Sequence, residues 1–92
     1  MIRSFACPDT RALFEGNRVA RFANILAAAE RKLTMLNAAT ELRDLRSPPG
    51  NRLESLAGDR AGQHSIRINA QWRVCFVWTD DGPVNVEIVD YH

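Results

Sequence analysis

Residues 63–92, "QHSIRINAQWRVCFVWTDDGPVNVEIVDYH", decide the fold of this 92-residue chain. Three runs in this stretch, "QHSIRIN", "WRVCFVW" and "VNVEIVDY", alternate in character and are separated by the short connections "AQ" and "TDDGP". A period of two is typical of strands that bury one face, and glycine, proline and aspartate are typical of tight turns. The stretch therefore predicts three consecutive antiparallel strands.

The alternation also predicts which side chains share a face of the sheet. One face is expected to carry a mainly apolar set: His64, Ile66, Ile68, Val74, Phe76, Trp78, Val84, Val86 and Ile88. The opposite face is expected to carry Ser65, Arg67, Asn69, Arg73, Cys75, Val77, Asn85, Glu87, Val89 and Tyr91. An antiparallel sheet of this kind packs another element on its apolar face and leaves the other face open.

The covering element is predicted in the N-terminal half. Its apolar residues follow the i, i+3, i+4, i+7 spacing of a helix with one buried stripe. They are Phe22, Ile25, Leu26, Ala29, Leu33 and Leu36. A helix over residues 22 to about 36, packed on the apolar face, gives an α+β architecture.

Shorter elements are predicted on both sides of this helix. Residues 1–5, "MIRSF", are expected to form an edge strand, and residues 7–17 a short helix with Asp9 as N-cap and Gly16 as its end. Four features are expected between the main helix and the strands: a short helix over 40–46 capped by Thr40, a break at "SPPGN", a short strand over 51–56, and a "GDRAG" turn presenting Arg60.

Length and composition fit one folded domain over residues 1–92. Apolar residues make up 46% of the chain, and the formal net charge is +1, with Lys32 as the single lysine among 12 basic residues. Arginine offers a planar fork to phosphate, so a small net charge is compatible with nucleic-acid binding.

The cysteines and the absence of long apolar runs predict a compartment. Cys7 and Cys75 lack metal-ligand spacing and are expected to be buried or neutral thiols, although a disulfide between them stays open. No stretch resembles a signal peptide or approaches the ~20 apolar residues of a membrane span. We therefore expect a cytoplasmic protein that makes no membrane contact.

The open face suggests a function without deciding it. Arg67, Arg73 and Tyr91 are predicted to share this face on neighbouring strands. Two guanidinium groups beside a phenol suit a phosphate backbone and a stacked base. Arginine is also ordinary on a solvated face, where Glu87 can pair with one of the two, and parity alone favours this simpler interpretation.

Three ordered motifs give the sequence a resemblance to a known family. They are "GDR.G" at 58–62, "SIRIN.QWR.CF.W" at 65–78 and "VEI.DYH" at 86–92. Together they resemble the HigB-like toxins of the RelE/ParE superfamily of type II toxin–antitoxin modules. The resemblance implies a RelE-type fold, a twisted antiparallel sheet packed against N-terminal helices. It also implies a ribosome-dependent mRNA endonuclease, or mRNA interferase, that inhibits translation without a metal or other cofactor.

The resemblance further implies roles for the last three residues. Asp90, Tyr91 and His92 match active-site residues of the family: His92 carries a proton, Asp90 orients it or stabilises its charge, and Tyr91 positions the nucleotide. RNA cleavage by the 2′-hydroxyl needs a base, an acid and positive charge on the phosphate oxygens, and Arg73 is the best candidate for that charge. Which group is acid and which is base stays open.

Residues outside this triplet complete the expected site. Arg60 and Arg67 are expected to hold flanking phosphates or ribosomal RNA. Glu54 has two interpretations, a general base on the open face or a solvated strand residue paired with Arg52 or Arg60. His64 stands where the family tends to have an aromatic residue, and its parity predicts a half-buried structural histidine.

The resemblance implies partners and leaves alternatives. The expected partners are a HigA-like helix-turn-helix antitoxin, the ribosomal decoding site and mRNA, with operator DNA contacted only through the antitoxin complex. One alternative is a ParE-like toxin that inhibits DNA gyrase and cleaves nothing, since one scaffold can carry different functions. The other is a weakly active RNA-binding co-repressor, for which His92 would be dispensable.

Overall fold

A computed structural model describes residues 1–91 as a four-stranded antiparallel sheet packed against helices. The strands are β1 (Glu54–Ser55), β2 (His64–Arg67), β3 (Trp72–Thr79) and β4 (Gly82–Asp90), in the spatial order β1-β2-β3-β4. The α-helices are α1 (Pro8–Phe14) and α2 (Leu26–Ala38), and short 3₁₀ helices span Ala20–Ile25, Leu42–Arg46, Pro49–Asn51 and Gly58–Arg60. The predicted α+β fold is confirmed. No helix in this part of the chain has the length and apolarity to cross a membrane.

The predicted helical stripe forms the centre of the core, with one exception. Phe22, Ile25, Ala29, Leu33 and Leu36 are buried with Ile66, Val74, Phe76, Val86 and Ile88 of the sheet. Leu26 was expected in the stripe but is 44% exposed. The chain is a 3₁₀ helix up to Ile25 and becomes an α-helix at Leu26. Residues i and i+3 eclipse in a 3₁₀ helix, so Phe22 and Ile25 share a face that Leu26 does not.

Val84 lies on the face opposite to the predicted one, because β4 contains a β-bulge. Between residues 75 and 77, one residue of β3 lies opposite two residues of β4. The extra residue shifts the parity, so Val84 pairs with Val77 of the opposite face instead of joining Val86 in the core. Asn85 lies at the bulge with a φ of 53°, and its N–H donates to Ser4 Oγ at 2.9 Å.

The N-terminal segment covers the outer edge of β4. The Arg3 N–H donates to the Pro83 carbonyl at 2.8 Å, and one parallel bridge joins Phe5 to Val86. The expected edge strand is therefore an extended segment with a single bridge. Its close approach requires glycine at Gly82, where φ is 122° and a Cβ atom would collide with the backbone of the first residue.

The first helix ends as predicted but begins earlier. Asp9 was expected as its N-cap, but Cys7 holds that position, because Pro8 fits the first helical position, where an N–H group has no partner. Gly16 follows the last turn with a φ of 91°, and its N–H donates to the Leu13 carbonyl at 3.0 Å. This left-handed glycine ends the helix.

Two further sequence predictions need correction between α2 and the sheet. Glu41, not Thr40, caps the helix over residues 42–46, and it forms a reciprocal capping box with Asp44. Thr40 instead donates its hydroxyl to Asp44 Oδ2 at 3.1 Å. The strand expected over residues 51–56 is limited to β1, because Pro49–Asn51 forms a 3₁₀ turn and Arg52 is left-handed, with a φ of 45°.

A buried hydroxyl in α1 forms a hydrogen bond with β4, and its contribution to stability can be measured. Thr10 is fully buried, and its Oγ1 accepts the N–H of Ile88 at 2.9 Å. We expect Thr10→Val, which keeps the side-chain shape, to lower the free energy of unfolding by about 1–3 kcal/mol because it leaves a buried donor unsatisfied. Urea denaturation measures this change. Thr10→Ser keeps the acceptor and is the control, and equal loss in both variants would contradict the account.

Candidate functional site

Two rows of paired residues cross the sheet on the face opposite the core, which we call the open face. One row joins Glu54, Ser65, Cys75 and Glu87, and the next joins Arg67, Arg73 and Val89. Residues directly opposite one another on neighbouring strands point to the same side. The predicted placement of Arg67 beside Arg73 is confirmed, and the register brings Glu54 to the same face.

The guanidinium of Arg73 is held by three oxygen atoms. Its Nε donates to Ser65 Oγ at 2.8 Å, and its Nη2 donates to the carbonyl oxygen of Arg52 at 2.8 Å. Nη2 also lies 3.5 Å from Glu54 Oε1. The Arg73 side chain is 11% exposed, and its Cζ lies 5.7 Å from the centre of the Tyr91 ring. Arg73 is thus a fixed cation beside an aromatic ring.

A second guanidinium reaches this face from the "GDRAG" turn. Arg60 Nη1 lies 2.9 Å from Glu87 Oε1 and donates to Gln63 Oε1 at 3.1 Å. The hydrogen bond to Glu87 raises the pKa of Arg60 above its usual value. Glu87 was considered as a partner of Arg67 or Arg73, and Arg60 as a partner of Glu54. The pairing is instead Arg60 with Glu87 and Arg73 with Glu54, because the 3₁₀ turn directs Arg60 toward β4.

A cysteine lies in the middle of these charged groups. Cys75 is fully buried, and burial raises the pKa of its thiol, against the opposing effect of the Arg60 and Arg73 charges. The predicted burial of Cys75 is confirmed. Cys7 and Cys75 are both free. Strand parity predicted the face of Cys75 correctly, but no sequence pattern indicated that this cysteine would lie between two arginines.

The end of β4 is anchored to the start of β3. The Tyr91 N–H donates to the Gln71 carbonyl, and Gln71 Nε2 donates to Asp90 Oδ2 at 3.1 Å. Asp90 pairs with Trp72, so strand parity places it in the row next to that of Arg73 and on the other side of the sheet. Tyr91 is 41% exposed. The described residues end at Tyr91, so the expected role of His92 lies outside them.

His64 has the structural position that its parity predicted. It is half-buried, its Nε2 lies 3.1 Å from Ser55 Oγ, and its ring stacks on Phe76 at a centroid distance of 6.3 Å.

Arg67 is also half-buried, and no hydrogen bond or ion pair joins its side chain to any residue from 1 to 91. Over the same range, no three His, Cys, Asp or Glu side chains cluster in a way that could hold a metal ion.

Comparison with known proteins assigns the chain to a family. Residues 11–92 match the model of the HigB-like toxins, described as the RelE-like toxin of the type II toxin–antitoxin system HigB. This match covers most of the chain. The chain belongs to the HigB-like family of RelE-like toxins.

Individual relatives agree with this assignment. The HigB-like chain is 51% identical to Toxin HigB-1 of Vibrio cholerae over 55 residues. This match covers 60% of the chain and only 58% of the Vibrio protein. It is 30% identical to Endoribonuclease HigB of Proteus vulgaris over 93 residues, covering all of both proteins. In fold it resembles a chain of the YoeB–YefM complex from Staphylococcus aureus, with a TM-score of 0.60 at 17% identity, over 100% of this chain and 98% of that one.

The environment of Cys75 in this HigB-like chain predicts its reactivity. The thiolate is the reactive form, and both burial and the raised pKa oppose it. We expect iodoacetamide at about pH 8 to modify half-buried Cys7 more than about 10-fold faster than Cys75, as followed by peptide mass spectrometry. In urea the two rates should become similar, which is the control. Equal rates in the native protein would contradict the described burial.

Proposed function

We propose that this chain is a ribosome-dependent endoribonuclease that cleaves mRNA in the decoding site and thereby inhibits translation. The observation that carries the proposal is the fixed Arg73 guanidinium beside the exposed ring of Tyr91 on the open face. A held cation and a stacking surface are what one phosphate and one base of single-stranded RNA require. The name of the Proteus relative, Endoribonuclease HigB, supports the same activity.

The proposed reaction uses the RNA's own nucleophile. The 2′-oxygen attacks the neighbouring phosphorus and loses its proton to a base, while the bond from phosphorus to the 5′-oxygen breaks and that oxygen receives a proton from an acid. The products are a 2′,3′-cyclic phosphate and a free 5′-hydroxyl. Negative charge builds on the two non-bridging oxygens, and donors fixed in advance stabilise it most effectively. This reaction requires no metal or other cofactor.

We assign the charge stabilisation to Arg73. Its Nε and Nη2 are engaged by Ser65, Arg52 and Glu54, whereas its Nη1 makes no hydrogen bond to any residue from 1 to 91. Nη1 is therefore the donor that a non-bridging oxygen would meet, on a guanidinium that needs no reorganisation. Arg67, in the same row, is assigned to a flanking phosphate.

Arg60 is assigned to a second flanking phosphate on the other side of Arg73. Its ion pair with Glu87 is 32% exposed on the arginine side and 27% exposed on the glutamate side. A guanidinium carries five N–H donors, so Arg60 can keep this pair and still donate to a phosphate oxygen. The two flanking arginines supply affinity, whereas Arg73 supplies the stabilisation of the transition state.

The two proton transfers are assigned to Glu54 and His92. The Glu54 side chain is 50% exposed beside Arg73, so a ribose hydroxyl can approach it. An imidazole titrates near neutral pH and suits either direction of transfer. Asp90 is assigned as the group that orients His92, and its hydrogen bond with Gln71 fixes its carboxylate at the end of β4. Tyr91 is assigned to stack on a base.

We further infer that a HigA-like helix-turn-helix antitoxin neutralises this toxin in the cytoplasm, where ribosomes and mRNA are found. Membership of a type II toxin–antitoxin family supports a protein antitoxin. The Staphylococcus structure of the same fold is itself a complex of two proteins, YoeB and YefM. Operator DNA would be contacted only through the toxin–antitoxin complex.

Substitution of Arg73 tests the assigned charge stabilisation. Lysine keeps the charge but cannot reach Ser65, Arg52 and Glu54 together, so we expect Arg73→Lys to cleave about 10²–10³-fold more slowly. Primer extension on a defined mRNA, with and without ribosomes, measures new 5′ ends. Arg31→Ala removes an exposed arginine of α2 and should leave the rate unchanged. Wild-type rates in Arg73→Lys would contradict the assignment.

Substitution of His92 tests the reaction class in the same assay. We expect new 5′ ends only when ribosomes are present, and we expect His92→Ala to abolish or strongly reduce them because one proton transfer is lost. An uncleaved transcript from active wild-type protein would contradict the endoribonuclease proposal and direct attention to a gyrase supercoiling assay. An unchanged cellular effect of His92→Ala would favour the co-repressor alternative.

A further inference from the structure

A second concave surface lies at the β1 edge of the sheet, against the 3₁₀ helix Leu42–Arg46. This edge cleft has a volume of about 340 Å³. It is lined by Leu42, Arg43, Arg46, Leu53, Glu54, Ser55 and His64. The volume is at the low end of the ~300–1,000 Å³ range of small-molecule sites, which suits one nucleotide better than a longer segment.

The two arginines of the edge cleft differ in their partners. Arg43 Nη2 lies 3.0 Å from Glu41 Oε2, so its charge is already paired. Arg46 is exposed, and its side chain forms no hydrogen bond or ion pair within residues 1–91. The pair at Arg43 is on the surface and weak, but Arg46 is the cation that an incoming anion would meet first.

The opposite wall of the edge cleft is polar and includes a residue with one unsatisfied hydrogen-bonding atom. His64 Nε2 is 3.1 Å from Ser55 Oγ, and this pair faces a cleft whose other walls include the half-buried Leu42 and Leu53. His64 Nδ1 is buried and has no hydrogen-bond partner in the described part of the chain. Buried polar atoms are normally satisfied, so this imidazole nitrogen needs an explanation, and a hydrogen-bonding group in the adjoining cleft is the one that we test.

The edge cleft is continuous with the candidate active site through one residue. Glu54 lines the cleft and also lies 3.5 Å from Arg73 Nη2. In β1, Glu54 and Ser55 point to opposite sides of the sheet, so this edge joins the open face to the cleft. Glu54 is thus the point at which an RNA strand with its reacting phosphate at Arg73 can pass around the sheet edge into the edge cleft.

We propose that the edge cleft binds the RNA nucleotide adjacent to the cleaved phosphodiester. Arg46 joins Arg67 at the flanking phosphate of this nucleotide, the apolar side chains of Leu42 and Leu53 contact its base, and the Ser55–His64 pair donates or accepts hydrogen bonds at the base edge. Affinity then comes mainly from Arg46, and base preference comes from His64. This proposal rests on the proposed function, since it extends the same RNA path by one nucleotide.

Binding to the free protein tests the proposal without requiring activity. The probe is a 2′-O-methylated RNA trinucleotide, which has no nucleophile, added to the ¹⁵N-labelled full chain and followed by NMR. We expect shifted amide signals over residues 42–46 and 53–55 and at His64. Arg46→Ala should raise Kd about tenfold, as expected for one charge-assisted phosphate contact, and reduce the slope of log Kd against log salt by about 0.7.

Two control variants keep the test specific. Arg31→Ala makes the same change of net charge on an exposed site of α2 and should leave Kd within about twofold of wild type. His64→Phe keeps an aromatic ring against Phe76 but removes both nitrogens, and it should change the relative affinities for different bases. Thermal unfolding of each variant confirms that it is folded.

The outcomes separate this proposal from the proposed function. Absent shifts at the cleft, or equal Kd values for Arg46→Ala and Arg31→Ala, would overturn the cleft assignment even if mRNA is cleaved on ribosomes. Binding at the cleft without any cleavage would support the cleft and contradict the endoribonuclease. If Arg46→Ala weakens binding to ribosomes without mRNA but not to the trinucleotide, the cleft contacts ribosomal RNA and the proposal is overturned.

Discussion

Two hydrogen bonds and an ion pair that fix the Arg73 guanidinium come from three separate segments of the chain. Ser65 comes from β2, Glu54 from β1, and the Arg52 carbonyl from the loop between them and α2. That loop is held by the fully buried Asn51, whose Nδ2 donates to the Leu45 carbonyl at 3.1 Å and whose Oδ1 accepts from Lys32 in α2. Packing of α2 on the sheet and the position of the candidate catalytic cation are therefore coupled.

Most of the fold could be predicted because strong periodicity dominates its elements. The three long strand runs and the helical stripe from Phe22 to Leu36 are regular over several repeats, and burial follows them. The errors lie where a local irregularity changes the period. Leu26 is exposed because a 3₁₀ helix precedes α2, and Val84 changes face because β4 contains a bulge, and neither irregularity leaves a distinct sequence pattern.

The sheet faces of the candidate residues were predicted better than their pairings. Strand parity placed Arg67, Arg73 and Tyr91 on one face, and the register agrees. The partners of Glu54 and Arg60 depend on how the turns between strands direct long side chains, which parity does not determine. The edge cleft was not predicted, since it is formed by a 3₁₀ helix, a two-residue strand and His64, which no sequence periodicity brings together.

We infer that Arg73 stabilises the cleaved phosphate because Ser65 holds its guanidinium in place. Single-turnover cleavage of ribosome-bound mRNA by Ser65→Ala, Arg73→Ala and the double variant tests it most directly. We predict that Ser65→Ala slows cleavage about 10-fold or more and that the double variant is no slower than Arg73→Ala, because the serine acts through the arginine. Independent, multiplicative losses, or no loss in Ser65→Ala, would contradict the account.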